Sequence, residues 1–315
     1  MDRAASLAVM GMSSSDERHI LLIGGRGMLG RAWRHLLERR GLPFDAPGRA
    51  ELDLLVPESI DAAIGSRTKW VINCAGWTDV DGAEQDEEAA TQLNGAAVGL
   101  VARRCQDVGA TLVHYSTDYV FNGRAQTPYR VDAPRDPLNA YGRSKAVGEQ
   151  LIEQVGGKHL IIRSSWLYGP WGKNFVRTMA RLTREKAVLR VVNDQRGRPT
   201  SCEHLAAASL ALLNQQAVGV YHVTDGGECT WHELTCHIAR RLNAACDVQP
   251  CTSAEFARPA RRPAYSVLDL AETEALLGPM PPWPDQVDDT LDRLEVDTPP
   301  SAPRRDATGS AADNR

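Results

Sequence analysis

Short apolar runs alternate along the first half of the chain with stretches whose apolar residues recur every three or four positions. The first run, residues 20–23, is apolar throughout, which is typical of a strand covered on both faces of a sheet. Apolar residues at helical spacing follow it, up to Gly41. The alternation continues with predicted strands at residues 43–46, 70–74, 111–115 and 160–163 and predicted helices at 57–65 and 87–107.

Repeated strand–helix units predict a parallel sheet with right-handed crossovers. The predicted fold class is α/β, a Rossmann-type doubly wound parallel sheet with a smaller C-terminal α/β domain. Further helices are expected at 174–182, 203–214 and 230–242, the last opened by a capping box of Thr230 and Glu233, and strands at 188–192 and 219–223. We expect a flexible extension (1–18), a nucleotide-binding domain (19–168, with a return of 195–224 to its sheet), a substrate domain (169–295) and a disordered tail (296–315).

Composition excludes several classes of function. A net charge of −4 offers no basic surplus for a nucleic acid polymer or an anionic membrane, and no run approaches the roughly 20 apolar residues of a membrane span. Seven scattered cysteines, an odd number, favour reduced thiols in a cytoplasmic protein over a disulfide framework.

A glycine-rich turn joins the first strand to the first helix. Gly24, Gly27 and Gly30 lie in the setting where glycines let a backbone approach a pyrophosphate at a helix N-terminus. Ligands of parallel sheets bind outside the carboxyl ends of the strands. Residues 24–30, 74–76 and 116–117 all fall at such ends, so the sequence predicts one nucleotide-binding crevice.

Tyr141 and Lys145 are four residues apart and share one face of a predicted helix. An ammonium one turn away is expected to lower the tyrosine pKa toward neutrality, which makes Tyr141 a candidate proton donor to a carbonyl oxygen. Thr117 is a hydroxyl that can help to hold that oxygen. The alternative is an ordinary amphipathic spacing without chemistry.

Two further patterns bear on the ligands. Asp45 and Arg49 follow the second strand, and each could contact the ribose of the cofactor. Because Arg49 falls in the loop where a 2′-phosphate would arrive, NADPH is predicted to be preferred with NADH usable. The alternative is that Arg49 points into solvent.

Cys229, His232, Cys236 and His237 cluster, but position 236 lacks the second histidine of a zinc-protease motif. We therefore predict an amphipathic helix there and no metal.

Several motifs together resemble the extended short-chain dehydrogenase/reductases, and within them the dTDP-4-dehydrorhamnose reductase family. The resemblance covers about residues 19–294. It rests on the glycine turn, residues 51–53, 71–75, Ser-Thr-Asp-Tyr-Val-Phe at 116–121, 137–145, 163–169, 173–176, 194–200 and 261–266.

The resemblance implies reduction of the 4-keto group of dTDP-4-dehydro-β-L-rhamnose by NADPH or NADH, with Thr117, Tyr141 and Lys145 as the catalytic set. Lys145 would also hold the nicotinamide ribose. The cofactor-binding residues implied or predicted are Gly24, Arg26, Gly27, Met28, Leu29, Gly30, Arg49, Asp53, Leu54, Cys74, Ala75, Gly76, Tyr141 and Lys145. Besides Thr117, the residues expected to bind substrate are Asp118, Tyr119 and Trp166 at the sugar and Asn174 and Arg196 near the nucleotide.

The chain departs from the family pattern at Trp77, which is larger than usual, and at Gly82, which replaces a cation. Ala32 stands where some members carry a metal-binding glutamate, so no such metal is expected. A 4,6-dehydratase would need Asp-Glu after Thr117, where Asp118 is followed by Tyr119. An epimerase that retains NAD and a non-catalytic regulatory subunit of the same fold stay open, as does the choice between monomer and homodimer.

Overall fold

The computed structural model describes residues 19–296, so the expected extension and all but the first residue of the expected tail lie outside it. The strands are β1 His19–Ile23, β2 Phe44–Asp45, β3 Thr68–Asn73, β4 Thr111–Thr117, β5 His159–Ser164, β6 Leu167–Tyr168, β7 Val188–Val192, β8 Arg196–Gly197, β9 Thr200–Ser201, β10 Gly219–His222, β11 Cys229–Thr230 and β12 Asp247–Cys251. The helices are α1 Met28–Arg39, α2 Pro57–Ala63, α3 Val80–Gln85, α4 Glu87–Thr91, α5 Ala97–Val108, α6 Ala140–Val155, α7 Phe175–Glu185, α8 Cys202–Asn214, α9 Trp231–Arg241, α10 Ala271–Leu277 and α11 Trp283–Val296. A π-helical segment, Gln92–Ala96, joins α4 to α5.

Six of these strands form one parallel sheet in the order β10-β5-β4-β3-β1-β2. The strand order reverses between β1 and β3, the position at which doubly wound sheets bind ligands. The register aligns the strand ends, because Ile23 pairs with Asn73, Asn73 with His114 and Thr117 with Ser164. The predicted fold class is therefore confirmed, and the strand ends meet at one edge.

Each face of the sheet is covered by its own apolar cluster. One cluster packs α1 and α8 on the sheet, with Trp33 and Leu212 fully buried. The other packs α2, α5 and α6, with Ile60 and Ile152 buried. Burial of a large aliphatic side chain stabilises the fold by roughly 1.5–3 kcal/mol, so these two clusters hold the sheet between its helix layers.

The predicted helix over residues 87–107 is interrupted by the π segment Gln92–Ala96. A π turn inserts a residue into the helical ladder and is frequent at functional sites. Here it carries Asn94, which is fully buried. Helix α6 packs closely on it, since a Cβ on Gly148 would lie 2.2 Å from the Asn94 carbonyl oxygen. The close approach of these two helices fixes the position of Tyr141 and Lys145.

Smaller strand pairs lie outside the main sheet. Strand β7 occupies the predicted residues 188–192 and pairs with β12, a strand that the sequence pattern did not indicate. A third apolar cluster, around Tyr168, Leu234 and Leu291, joins α7, α9 and α11. Helix α9 begins with the predicted capping box of Thr230 and Glu233.

Candidate active site

The glycine turn has the geometry of a phosphate cradle. Gly24 has φ of +76°, and a Cβ there would lie 2.7 Å from the Ala75 nitrogen. A Cβ on Gly30 would lie 2.2 Å from the Gly24 carbonyl oxygen. Helix α1 starts at Met28 without a side-chain cap, so its first N–H groups and positive dipole end face outward. These features fit a bound pyrophosphate.

A basic cavity of about 470 Å³ lies beside this turn. Arg26, Arg31 and Arg34 line it together with Glu51, Gly25, Ala46 and Gly48. Arg49 is not among the lining residues: its side chain is 81% exposed and its Nε lies 3.6 Å from the Asp53 carboxylate. The cations that line this cavity are therefore those of the turn and of α1.

Asp53 and Leu54, two of the expected cofactor-binding residues, differ in how exposed their side chains are. Leu54 is buried in the apolar cluster under α2, so its side chain is part of the core. Asp53 is partly exposed and accepts a hydrogen bond from the Leu55 nitrogen at 3.0 Å. Of this pair, only Asp53 has a side chain available to a ligand.

Asn94 ties the loop after β3 to helix α6. Its amide oxygen accepts from the Trp77 nitrogen at 2.8 Å, and its amide nitrogen donates to the Trp77 carbonyl at 3.0 Å and to the Ser144 hydroxyl at 2.9 Å. A Cβ on Gly76 would come within 2.9 Å of the Asn94 oxygen. Residues Cys74, Ala75 and Gly76 therefore run directly in front of the helix that carries Tyr141.

Tyr141 and Lys145 lie on the first turns of α6. Asn139 caps this helix by accepting from the Gly142 nitrogen at 2.8 Å. Burial raises the pKa of Tyr141 to about 12; the nearby Thr117 hydroxyl lowers it and Asp118 raises it further. The expected lowering of the Tyr141 pKa toward neutrality is therefore not found, because burial is the largest effect and Lys145 is not among the groups that shift this pKa. The Lys145 amine lies 3.2 Å from the His114 Nε2 atom. Burial lowers the pKa of Lys145 to about 8.

Thr117 is the last residue of β4 and faces the same crevice. Its hydroxyl donates to the Asp118 carboxyl at 3.0 Å and accepts from the Tyr119 nitrogen at 3.1 Å. Asp118 is buried, and desolvation raises its pKa to about 7, an effect partly offset by the Ser266 and Thr117 hydroxyls. The rings of Tyr119 and Tyr141 meet edge to face, with centroids 6.1 Å apart. The structure thus brings Thr117, Asp118, Tyr119, Tyr141 and Lys145 together.

The comparisons with known proteins decide the family. The family model described as "RmlD substrate binding domain" matches residues 18–296. The chain belongs to the dTDP-4-dehydrorhamnose reductase family.

One relative is a dTDP-4-dehydrorhamnose reductase of Streptomyces griseus, which is 42% identical over 84% of this chain and 90% of that protein. Another is a dTDP-4-keto-6-deoxy-D-glucose reductase of Streptomyces niveus, which is 39% identical over 88% of this chain and 98% of that protein. The dTDP-4-dehydrorhamnose reductase of Bacillus anthracis, solved in complex with NADP, is 33% identical with a TM-score of 0.83, covering 89% of this chain and 99% of that one. The chain is accordingly an oxidoreductase.

Trp166, which the resemblance leads us to expect at the sugar, has a strained backbone. Trp166 has φ of 49°, a left-handed conformation that is rare for a bulky residue and clusters at functional sites. Its ring stacks on that of Trp231 at 3.6 Å between centroids. Gly197 makes room, since a Cβ there would lie 2.7 Å from the Trp166 ring.

Asn174 and Arg196 already have internal partners in this member of the family. Asn174 is buried, accepts from the Arg177 nitrogen at 3.0 Å as the cap of α7, and donates to the Gly169 carbonyl at 2.8 Å. Arg196 lies 3.4 Å from Glu228 and 3.7 Å from Glu233. Asn174 also lies 3.5 Å from the Met28 sulfur at the start of α1, and Arg196 stays partly exposed.

Of the two departures from the family pattern, Trp77 lies near the candidate proton donor. Trp77 packs with Tyr141 against Ala83, Ala90 and Ala140. At Gly82, where the resemblance leads us to expect a cation, a Cβ would lie only 2.6 Å from the Asp79 carboxylate. Trp77 therefore forms a wall next to the candidate proton donor.

Sequence reasoning missed an ion pair that joins two distant segments. Asp81 accepts from both terminal nitrogens of Arg262, at 2.8 and 2.9 Å, and Asn139 donates to the Arg261 carbonyl at 2.8 Å. The Arg262 guanidinium holds the pKa of Asp81 down, at about 2. This pairing fixes the segment that carries Ser266 beside Asp118. Only the motif at residues 261–266 hinted at it.

The cysteine and histidine cluster on α9 is engaged in other contacts. His232 Nε2 lies 3.0 Å from the Val248 carbonyl oxygen, and His237 pairs with Asp288 at 2.8 Å. No group of side chains suited to a metal ion occurs within residues 19–296. Across the same residues, no helix is both long and apolar enough to cross a bilayer.

Proposed function

We propose that the chain reduces the 4-keto group of dTDP-4-dehydro-β-L-rhamnose to give dTDP-β-L-rhamnose, with NADPH as the hydride donor. The observation that carries the proposal is that Thr117, Tyr141 and Lys145 lie at the carboxyl edge of the sheet, where the loop at residues 74–76 approaches both the glycine turn and Lys145. The family relatives with this activity support the choice of sugar.

Tyr141 is the proton donor to the ketone oxygen in this proposal. Its pKa of about 12 keeps the phenol protonated at neutral pH, which is the form that a reduction requires. As the proton leaves, the Thr117 hydroxyl, which lowers the Tyr141 pKa, stabilises the phenolate. Bound NADPH supplies the hydride; the protein supplies the proton and the alignment.

The cofactor is held by the turn at residues 24–30 and by the loop at residues 74–76, with Lys145 on the nicotinamide ribose. The cavity with Arg26, Arg31 and Arg34 receives the 2′-phosphate, because guanidinium groups match phosphate geometry. NADH lacks that group and binds more weakly. Asp118, Tyr119 and Trp166 face the sugar. The seven cysteines, all free thiols, support a cytoplasmic location.

The test mixes pure protein, NADPH and dTDP-4-dehydro-β-L-rhamnose and follows the loss of NADPH absorbance. We expect turnover with stoichiometric NADPH consumption. An epimerase that retains its cofactor would convert sugar without consuming NADPH, and a regulatory subunit would do neither. Running dTDP-4-keto-6-deoxy-D-glucose in parallel tests the substrate of the Streptomyces niveus relative; a higher kcat/KM for that sugar would overturn our choice.

A further inference from the structure

His114 lies on β4, three residues before Thr117, and is completely buried. One ring nitrogen, Nδ1, is 3.3 Å from the amide nitrogen of Asn73, and the other, Nε2, is 3.2 Å from the amine of Lys145. The ring therefore connects the end of β3 with a residue of the candidate catalytic set.

The orientation of the Asn73 amide is fixed by the backbone. Its oxygen accepts a hydrogen bond from the Ala75 nitrogen at 3.1 Å, so its NH₂ group is the one that faces His114. An amide NH₂ can only donate, and Nδ1 of His114 must therefore accept and carry no proton. Burial and the neighbouring Lys145 charge lower the pKa of His114, so the ring is neutral. A neutral ring without a proton on Nδ1 has it on Nε2.

That proton points at the Lys145 amine. A neutral amine can accept it, whereas an ammonium has three donors and no acceptor. His114 therefore offers a protonated Lys145 no acceptor. Burial favours the neutral form of Lys145, whereas the charge of Glu149, one turn further along α6, raises the Lys145 pKa and so favours the ammonium. The three N–H groups of a charged Lys145 are then left for partners in the crevice.

We propose that His114 is a positioning residue for the reduction: Asn73 holds it as the Nε2–H tautomer, and this directs the donors of the Lys145 ammonium away from the sheet, toward the nicotinamide ribose. The role in reduction rests on the proposed function. The tautomer and its effect on Lys145 do not, and each has a readout without the sugar.

Nitrogen-15 NMR of protein labelled in its histidine rings tests the tautomer, because protonated and unprotonated ring nitrogens differ widely in chemical shift. His222 is a matched internal control. It is equally buried, and its Nδ1 must donate to the Asp269 carbonyl at 3.0 Å while Nε2 faces Arg163 at 3.4 Å. We expect opposite tautomers, Nε2–H for His114 and Nδ1–H for His222, assigned from the spectra of His114→Gln and His222→Gln. A protonated Nδ1 on His114 near neutral pH would overturn the proposal.

Asn73→Asp tests the consequence. The carboxylate keeps the shape and the bond to Ala75 but accepts from Nδ1–H, so Nε2 becomes an acceptor for the Lys145 ammonium. We expect the pH at which NADPH affinity falls, measured by fluorescence titration, to rise by roughly one pH unit or more. An unchanged midpoint would contradict the proposal.

The double variant Asn73→Asp with His114→Phe separates this effect from the added charge. If the double variant no longer shows the shift in the pH midpoint of NADPH affinity, the effect of residue 73 on Lys145 is transmitted by the His114 ring, which supports the proposal. Persistence of the shift would show that the carboxylate acts directly and would overturn the proposal. Both NADPH titrations and both spectra are recorded without keto sugar, so a failed reductase assay leaves this test intact.

Discussion

Asp118→Asn removes a buried carboxyl at the centre of the site and should make stability less dependent on pH. Desolvation raises the pKa of Asp118 from its ordinary 3.8 to about 7 in the folded chain. For a carboxyl whose pKa is higher in the folded chain than in the unfolded chain, the contribution to stability is fully present below the pKa of the unfolded chain. That contribution is lost as the pH rises through the pKa of the folded chain. The difference between 3.8 and about 7 corresponds to about 4 kcal/mol when the group is fully ionised.

Between about pH 5 and pH 8 the ionisation of Asp118 should lower the free energy of unfolding of the wild type by roughly 2–3 kcal/mol. Asp118→Asn should not show this decrease. The assay is urea denaturation of both proteins at the two pH values. Asp81→Asn is the matched control: the Asp81 pKa is held at about 2 by Arg262, so this variant should differ from wild type by the same amount at both pH values. If the difference between wild type and Asp118→Asn is also constant, Asp118 titrates normally and the buried-carboxyl reasoning is refuted.

Three other outcomes are expected. Tyr141→Phe should lose most turnover while binding NADPH as wild type does, whereas Lys145→Ala should lose both; turnover close to wild type in Tyr141→Phe would remove its assigned role. Arg34→Ala should raise the KM for NADPH more than that for NADH, while Arg49→Ala, outside the basic cavity, should change neither; the reverse pattern in steady-state kinetics would return the 2′-phosphate to Arg49. Glu149→Gln should lower the free energy of unfolding, measured by urea denaturation, by roughly 3–5 kcal/mol, because it leaves the buried Arg163 without its carboxylate partner. Glu153→Gln, at the exposed end of the same network, should lower it little, and equal decreases in the two variants would contradict this reasoning.

The elements found from sequence are those with strong periodicity. Residues 20–23 and 188–192 read as short apolar runs between polar or glycine-containing stretches, and both are strands. Strand β12 has a mostly exposed pattern and contains Pro250, so no period marked it. The π segment at residues 92–96 was also missed, because apolar spacing does not register one extra residue in a helical ladder.

The candidate site could be predicted in part. Glycines at fixed spacing and the pair Tyr141 and Lys145 are local signals, and the strand order brings them together. The pKa values were not local: the expectation that Lys145 would lower the Tyr141 pKa is wrong in this structure because burial dominates. The sequence pattern places His114 only in a predicted strand, because its partners Asn73 and Lys145 are 41 and 31 residues away in sequence. The pairing of Asp81 with Arg262 spans 181 residues and is not a local signal either.

The central claim is that the chain delivers hydride to C4 of the dTDP-linked 4-keto sugar. The most direct measurement supplies NADPH deuterated at the transferable C4 position together with dTDP-4-dehydro-β-L-rhamnose, and locates the label in the product by mass spectrometry and NMR. We expect dTDP-β-L-rhamnose carrying one deuterium at C4, and far less of it from the Tyr141→Phe protein in the same time. Unlabelled product, or deuterium at any other carbon, would contradict the account.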